Sequence, residues 1–335
     1  MARGLLALLA LLPLSPGCAP LNRSAPLAAR NTHPVQLTAF EPAPRAARVT
    51  PEGEARASVR HQITSLWKQP GSDRDAVALD GEVYRLELGG RVGLGHGLDL
   101  DVTVPLLHAS GGFLDGAIET WHRTFGLPQS SRTRFPEDRY AVRAVRQQPD
   151  GSRRTAYELE QNGVHVGDIP ITLTWVPIED TASTGFSAGL RGGVELPTGR
   201  EDDGFGNGAL DAGLGLITSY VFSTWALHAW ASHSWVPTAK SARRTGSHYP
   251  GVTSAGFAGE AALLEELSAI VQLGYESALL EDLSADGAER DPVAIWVGGR
   301  WRPSDHLAFE LGVGEDLVAD IGPDVIFHFG LDLFF

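Results

Sequence analysis

The chain has 335 residues and a formal net charge of −14, which argues against a nucleic-acid partner because such partners require a positive surface. A single cysteine excludes both an intramolecular disulfide and a thiolate metal cluster. With 39 glycines, 13 phenylalanines and 8 tryptophans, the composition favours an all-β protein. No apolar run reaches the length of about 18 residues that a transmembrane helix needs.

The first residues carry the features of an export signal. Arg3 precedes an apolar run over residues 5–14, which is too short to span a membrane. Residues 1–18 are therefore predicted to be a signal peptide, and Cys18 is either a lipidation site or a residue beside an ordinary cleavage site. Residues 19–53 are rich in alanine, proline and arginine without periodicity, and we expect a flexible periplasmic segment there.

Alternation of apolar and polar residues begins after this segment and indicates strands. One strand is predicted over residues 54–67, followed by a hairpin of strands over residues 82–94 and 98–106 with a tight turn at residues 95–97. Nine further strands are predicted between residue 164 and the C-terminus, with a β-bulge near Gly167 where the alternation changes phase. The last strand, residues 325–335, places large apolar side chains at every second position and ends on Phe335.

These patterns predict an all-β fold, an antiparallel transmembrane β-barrel of about twelve strands formed by residues 54–335. An even strand number places both ends of the barrel on one side, which is the periplasm for an exported N-terminus. The predicted connections alternate between short and long, as expected for periplasmic turns and extracellular loops. Phe335 is typical of the terminal aromatic residue that the barrel-assembly machinery reads in bacterial outer-membrane barrels.

The longest connection, residues 109–163, is predicted to be an extracellular insertion that contains a short amphipathic helix. Apolar and charged side chains recur there at helical spacing. The candidate lid or plug residues are Leu114, Asp115, Ile118, Glu119, Trp121, His122 and Phe125. The insertion either gates the pore or only covers the rim of the barrel, and residues 140–160 are expected to form a hairpin.

Inward-facing positions of the predicted strands carry charges of both signs, which must pair or stay hydrated. The candidate lumen charges are Arg56, Arg60, Arg85, Glu87, Arg91, Asp99, Asp101, Asp168, Arg191, Glu195, Asp211, Glu260, Glu276, Arg300 and Glu310. Such a set either supports the structure of the barrel or selects solutes in a polar pore.

Several short runs resemble a known family. The run Gly-Gly-Phe-Leu-Asp at residues 111–115, together with residues 118–128 and 81–84, resembles an outer-membrane family of unknown function, domain-of-unknown-function family 3187. The resemblance is densest over residues 80–173. Residues 167–169 and 196–199 are also similar to barrels linked to uptake of aromatic or apolar compounds. The resemblance implies an outer-membrane barrel, and it implies no established activity and no catalytic residues.

The sequence favours a passive channel or uptake barrel for small solutes, with the 109–163 insertion as its candidate gate. The alternatives are a structural or surface-interaction barrel without transport and a lipid hydrolase or acyltransferase. The enzyme is disfavoured because the Gly-x-Ser-x-Gly run at residues 185–189 lies in a predicted strand and not at the strand-to-helix turn of a nucleophile elbow. No cofactor or metal is expected, and the expected partners are outer-membrane lipid, lipopolysaccharide, the barrel-assembly machinery and an unidentified small solute.

Overall fold

The structure is a computed structural model that describes residues 24–68, 75–125, 139–161, 163–180, 185–283, 290–317 and 323–335. The predicted signal peptide and Cys18 lie outside these residues. Strands and helices follow one another in this order: β1 (Ala55–Lys68), β2 (Ala76–Gly95), β3 (Leu98–Ser110), α1 (Asp115–Phe125), β4 (Ala141–Gln147), β5 (Arg153–Glu158), β6 (His165–Val166), β7 (Ile169–Ile178), β8 (Gly185–Leu196), β9 (Asp211–Val221), β10 (Trp225–Trp235), α2 (Lys240–Arg244), β11 (Val252–Ala262), β12 (Leu267–Glu276), β13 (Val293–Ser304), β14 (Leu307–Asp316) and β15 (Val325–Phe334).

Twelve of these strands close into an antiparallel ring, which confirms the predicted barrel. The ring runs through β1, β2 and β3, passes directly to β7, and continues in chain order to β15. The alternating strand predicted at the C-terminus is β15, and it closes the ring by pairing with β1 from Arg56 opposite Phe334 to Ser65 opposite Val325. Two backbone hydrogen bonds between Ala55 and Phe335, of 2.9 and 3.1 Å, complete this seam.

The outer surface of the ring carries an apolar belt. Side chains that would be buried in a soluble protein are exposed here at every second position, as in Leu214, Leu216 and Tyr220 of β9. The intervening residues Ile217 and Ser219 are buried inside the ring. Since a strand points alternate side chains to opposite faces, this pattern produces one lipid-compatible face and one luminal face.

The two ends of the ring differ. At the short-loop end lie Ala55, Phe335 and the tight turns, such as the turn between β2 and β3. Stacked aromatic pairs occur at this end, with ring centroids 3.6 Å apart in Phe222 and Trp225 and 5.4 Å apart in Trp301 and Phe309. The opposite end, the long-loop end, carries α1, α2 and the β4–β5 hairpin.

The strand predicted to contain a bulge near Gly167 is interrupted at that point. β6 pairs with Leu106 and Leu107 of β3, whereas β7 pairs with the earlier residues Leu98 to Val102. The amide of Gly167 donates to the carbonyl oxygen of Pro105 and carries the chain across the gap. The interruption changes which face each side chain points to, as the change of phase in the sequence predicts.

β2 begins earlier than its predicted start at residue 82. Its first residues, from Ala76 to Asp80, pair with Val145 to Ala141 of β4. Both faces of this extension are covered, because all of its residues are buried. A strand covered on both faces shows no alternation, and the sequence pattern therefore did not reveal the extension.

Within the described residues no helix is long and apolar enough to cross a membrane.

Candidate functional site

Residues 24–50, termed here the luminal segment, lie inside the ring. Leu27, Ala29 and Phe40 are fully buried, and so are most of the segment's polar side chains. This corrects the expectation of a flexible periplasmic segment over residues 19–53, as far as its residues 24–50 are concerned. The segment bonds mainly to wall side chains and includes only one turn of 3-10 helix, Gln36–Thr38, so it has no sequence period to detect.

The first limb of the luminal segment rises from the short-loop end along β11 to β14. The amide of Ala25 donates to Glu260 (2.9 Å). The amide of Ala28 donates to Glu310 (3.5 Å), and the side-chain amide of Asn31 donates to Glu276 (3.3 Å). Three carboxylates that were predicted to face the lumen therefore hold this limb from three different strands.

The segment turns round at the long-loop end. Gln36 donates through Nε2 to Glu276 (3.1 Å) and to the carbonyl oxygen of Ser277 (3.0 Å). Arg30 donates through Nη2 to the carbonyl oxygens of Gln36 (3.1 Å) and Ala39 (3.3 Å), which ties the start of the turn to its end. These bonds satisfy backbone groups that the turn leaves unpaired.

The second limb descends along β9, β8 and β3. The amide of Phe40 donates to Asp211 (3.0 Å), and the amide of Ala47 donates to Ser219 Oγ (2.9 Å). Nearer the short-loop end, Arg45 forms a buried salt bridge with Asp99 (2.8 Å), which also accepts the amide of Thr50 (3.0 Å). The acidic side chains of the wall thus act as receptors for amides of the luminal segment on both limbs.

Two apolar side chains of the segment fit against glycines of the wall. A Cβ added at Gly298 or Gly312 would lie 3.1 or 2.9 Å from Leu27 Cδ1. A Cβ added at Gly193 would lie 2.7 Å from Phe40 Cζ, and one at Gly213 would lie 2.9 Å from Phe40 Cδ1. Glycine at these four positions leaves room for the two anchors, because Leu27 or Phe40 would have to shift to admit a larger residue.

An ion cluster anchors the start of the segment. Arg300 pairs with Glu260 (3.0 Å) and Glu310 (2.7 Å), and His328 Nε2 lies 3.2 Å from Glu310. The same guanidinium donates to the carbonyl oxygens of Ala25 (3.0 Å) and Pro26 (3.1 Å). All of these side chains are almost fully buried, so the cluster joins four wall strands, β11, β13, β14 and β15, to the luminal segment without access to water.

The other predicted lumen charges mostly form pairs along the wall. Arg56 and Arg60 share Asp332, Arg85 pairs with Glu87 (2.6 Å), and Arg91 pairs with Asp101 (2.8 Å). Buried Arg191 and Glu195 lie on β8.

Asp168 lies between β6 and β7, where it accepts the amides of Gly199 (2.7 Å) and Asn207 (3.3 Å). It therefore anchors the connection between β8 and β9 rather than facing an open lumen.

The long-loop end is closed by a hydrophobic cluster. The tip of the luminal segment contributes Val35 and Ala39. Tyr157 of the β4–β5 hairpin, Tyr249 near α2 and Leu279 after β12 pack in the same cluster. The insertion thus helps to close this end through the hairpin at residues 141–158, which the sequence predicted as a hairpin over residues 140–160.

The predicted helix of the insertion forms as α1, Asp115–Phe125. Its N-terminal end is fixed to β2, because Glu82 accepts the amides of Phe113 (2.7 Å) and Leu114 (2.5 Å). Leu114 and Ile118 are buried, and Glu119 lies 4.0 Å from Arg123. The side chains of Trp121, His122 and Phe125 lie outside the described part of the structure, so the lid or plug role of this helix stays a prediction.

The chain matches one protein-family model over almost its whole length. The model of the family described as "Protein of unknown function (DUF3187)" matches residues 5–335. The chain belongs to the DUF3187 family. The comparison of this DUF3187 protein with curated proteins found no match.

Solved structures similar to the DUF3187 protein are outer-membrane channels. The COG4313 outer membrane channel from Pseudomonas putida F1 is 14% identical, with a TM-score of 0.54 over 88% of this chain and 100% of that chain. This likeness shows a shared barrel fold and nothing beyond the fold.

Two other similar structures are more distant. The Pseudomonas putida toluene transporter TodX has 11% identity and a TM-score of 0.40 over 93% of this chain and 99% of that chain. The KdgM porin has 10% identity and a TM-score of 0.42 over 83% and 98%. TM-scores of this size are too low to support an argument about the DUF3187 protein.

Protonation of His33 is expected to loosen the luminal segment of the DUF3187 protein. Burial, reinforced by the charge of Lys68, lowers the pKa of His33 from 6.5 to about 4. Arg143 and Arg290 line the same cavity beside the segment tip. The docked segment therefore binds fewer protons than the released one, and its docking weakens as the pH falls from 6.5 through 4.

We expect solute entry into liposomes to rise over this pH range, and His33→Gln to reduce the rise. The wall carboxylates are unchanged in both proteins, so the difference between the two pH profiles reports His33 alone. Identical profiles for the variant and the wild-type protein would contradict the role of His33.

The luminal segment of the DUF3187 protein was missed in the sequence, although two signals point to it. Glycines occupy inward positions 193, 213, 298 and 312, where a water-filled lumen would not require them. The predicted lumen charges also include far more carboxylates than their arginine partners use. Among the described residues, no group of three or more histidine, cysteine, aspartate or glutamate side chains could hold a metal ion.

Proposed function

We propose that this DUF3187 protein is a channel or uptake barrel for small solutes in the outer membrane, and that the luminal segment is its gate. One observation carries the proposal. Residues 24–50 occupy the lumen along both limbs, yet no strand of the ring pairs with them. The segment can therefore leave the lumen without breaking a hydrogen bond of the barrel sheet.

The contacts that hold the segment suit a gate. They are hydrogen bonds of its backbone and its side chains with wall groups, one buried salt bridge with the wall and two apolar anchors. Each hydrogen bond to a charged group contributes about 1.5–3 kcal/mol, so the segment is held firmly but by separable contacts. A purely structural barrel would contain the same contacts, so the two functions differ only in whether the segment moves.

A reversible covalent lock tests this gate. The hydroxyls of Thr32 on the segment and Thr64 on β1 are fully buried and hydrogen-bonded to each other. In a Cys18→Ser background, Thr32→Cys with Thr64→Cys is expected to form a disulfide that holds the segment in the lumen. Liposome swelling should be low in the oxidised protein and should recover on reduction.

The matched control is Thr32→Cys alone in the same background, which should be insensitive to the redox state. If the oxidised double variant, with its disulfide verified by mass spectrometry, admits solute as fast as the reduced one, the luminal segment is not the gate. If neither form admits any solute above empty liposomes, the barrel is structural.

We propose that both ends of the barrel chain face the periplasm and that the long-loop end faces outward. The alternation of short and long connections supports this orientation. A protease site inserted between Asp150 and Gly151, in the exposed turn between β4 and β5, is expected to be cut on intact cells. A site inserted at Asp180, at the short-loop end, should be cut only after the outer membrane is opened, and the reverse result would invert the orientation.

A further inference from the structure

The luminal segment leaves a chamber between itself and the wall formed by β1, β2, β3, β7 and β8. The chamber has a cavity volume of about 70 Å³. Both limbs of the segment line it, through Ala25 to Arg30 on one side and Glu41 to Arg45 on the other. Seven arginines line the chamber: Arg30, Arg45, Arg56, Arg60, Arg85, Arg91 and Arg191.

Positive charge exceeds its partners in this chamber. Six of the seven arginines pair with five carboxylates, namely Glu41, Asp99, Asp332, Glu87 and Asp101. The remaining acid of the lining, Glu310, is already held by Arg300 and His328. Two arginines share Asp332, and one of the seven arginines, Arg191, forms no salt bridge within the described part of the chain.

Arg191 is the guanidinium without an acid. It is 7% exposed, and it forms no salt bridge among the described residues. Its Nη1 donates to the carbonyl oxygen of Ala43 (2.6 Å), while its Nε has no hydrogen-bond partner. A buried charge costs several kcal/mol unless an opposite charge compensates it, so this position favours an anion in the chamber.

Other donors of the chamber are unused as well. The Nε groups of Arg45, Arg60 and Arg85 are buried without a hydrogen-bond partner. On the wall, Arg56 lies directly opposite Arg91 in the register of β1 and β2, a pairing of like charges that destabilises a sheet. A bound anion accepts hydrogen bonds from the unsatisfied donors and reduces the repulsion between the facing cations, so both features favour anion binding.

We propose that this chamber is a binding site for small oxyanions, that is, solutes with a carboxylate or phosphate group. The planar fork of a guanidinium donates two parallel hydrogen bonds to such a group. Thr103 and Thr172 also line the chamber, and their hydroxyls can donate to further oxygens of the solute. Binding at this site requires only the folded barrel.

The site also assigns a substrate class to the channel. Since the chamber adjoins both limbs of the luminal segment, an anion bound there lies on the path that opens when the segment moves. This second step rests on the proposed function, whereas the binding itself does not. A binding measurement on purified protein and a swelling measurement on liposomes therefore fail independently.

Calorimetric titration of the full barrel in detergent and low-salt buffer tests the site, with inorganic phosphate and succinate as probes. The wild-type protein is expected to bind both anions and not the neutral solute glycerol. Arg191→Gln is expected to weaken binding roughly tenfold or more, as loss of a charge-assisted pair of hydrogen bonds requires. Arg154→Gln, an exposed arginine on β5 outside the chamber, is the matched control and should bind as the wild-type protein does.

Two results would overturn the proposal. One is the absence of anion binding to the folded wild-type barrel, which needs no variant to observe. The other is equal affinity in Arg191→Gln and wild type, which would place binding outside the chamber. If Arg191→Gln does not fold, Arg191→Lys keeps the charge without the fork, and an unchanged affinity for both probes in that variant would also count against the site.

Discussion

Deleting residues 25–48 is expected to convert the closed barrel into an open pore with a many-fold higher single-channel conductance. These residues fill the lumen along both limbs and form no strand pairs with the ring, so their loss leaves the sheet intact. The wall carboxylates that lose their amide donors, such as Glu276 and Asp211, become exposed to water, which hydrates them at little cost. Planar-bilayer recording measures the change, and heat-modifiable mobility on a gel verifies that the barrel is folded.

A second variant separates filling of the lumen from specific docking. Replacing residues 25–48 by a glycine-serine linker of the same length removes Leu27, Phe40 and Arg45 but keeps the chain length. Because such a linker behaves as a flexible coil without anchors, it should leave the lumen and also give open pores. Conductance equal to that of the full chain in both variants would show that the luminal segment does not close the barrel.

The replacement Arg300→Met is expected to destabilise the barrel more than any other single change in the lumen. It removes the nearest cation from the buried carboxylates of Glu260 and Glu310, which keep only Arg302 (3.7 Å) and His328 (3.2 Å), and breaking a buried ion pair in this way costs about 3–5 kcal/mol. It also removes the donor to the carbonyl oxygens of Ala25 and Pro26, so the luminal segment loses an attachment. The temperature at which the folded band disappears from a gel should fall strongly.

Adding Glu260→Gln and Glu310→Gln to Arg300→Met tests the cause. Neutral amides do not need a cation, so the triple variant should recover much of the lost stability. The matched control is Arg154→Met, which exchanges an exposed arginine and should leave the gel temperature unchanged. If Arg300→Met melts at the wild-type temperature, the cluster is not a source of stability.

The ring could be predicted from the sequence because a membrane barrel repeats one simple pattern. In β9, Leu214, Leu216 and Tyr220 alternate with Gly215, Ile217 and Ser219, and lipid on one side with lumen on the other enforces that alternation. The C-terminal strand β15 and the interruption at Gly167 could be predicted from the same alternation. The buried extension of β2 from Ala76 to Asp80 could not, because it packs on both faces and shows no alternation.

The luminal segment could not be predicted in this way because its partners are distant in the sequence. Ala25 meets Glu260, and Phe40 meets Asp211, across separations of 235 and 171 residues. Considered by itself, this stretch of sequence is rich in alanine, proline and arginine, a composition that also suits a disordered linker. The reason for a glycine at position 312 becomes clear only when Leu27 is known to lie against it.

These separations also set the order of events during assembly. The luminal segment precedes the whole ring in the chain, but its receptors Glu260 and Glu310 belong to β11 and β14, so the segment cannot dock until those strands are in place. β1 begins only five residues after the segment and pairs with β15, so the first strand must wait for the final strand. Docking of the segment is therefore tied to closure of the β1–β15 seam and cannot precede it by much. Loop closure over such distances is slow, and the capture of the segment becomes a late kinetic step in which an unfinished barrel still has a hydrated interior.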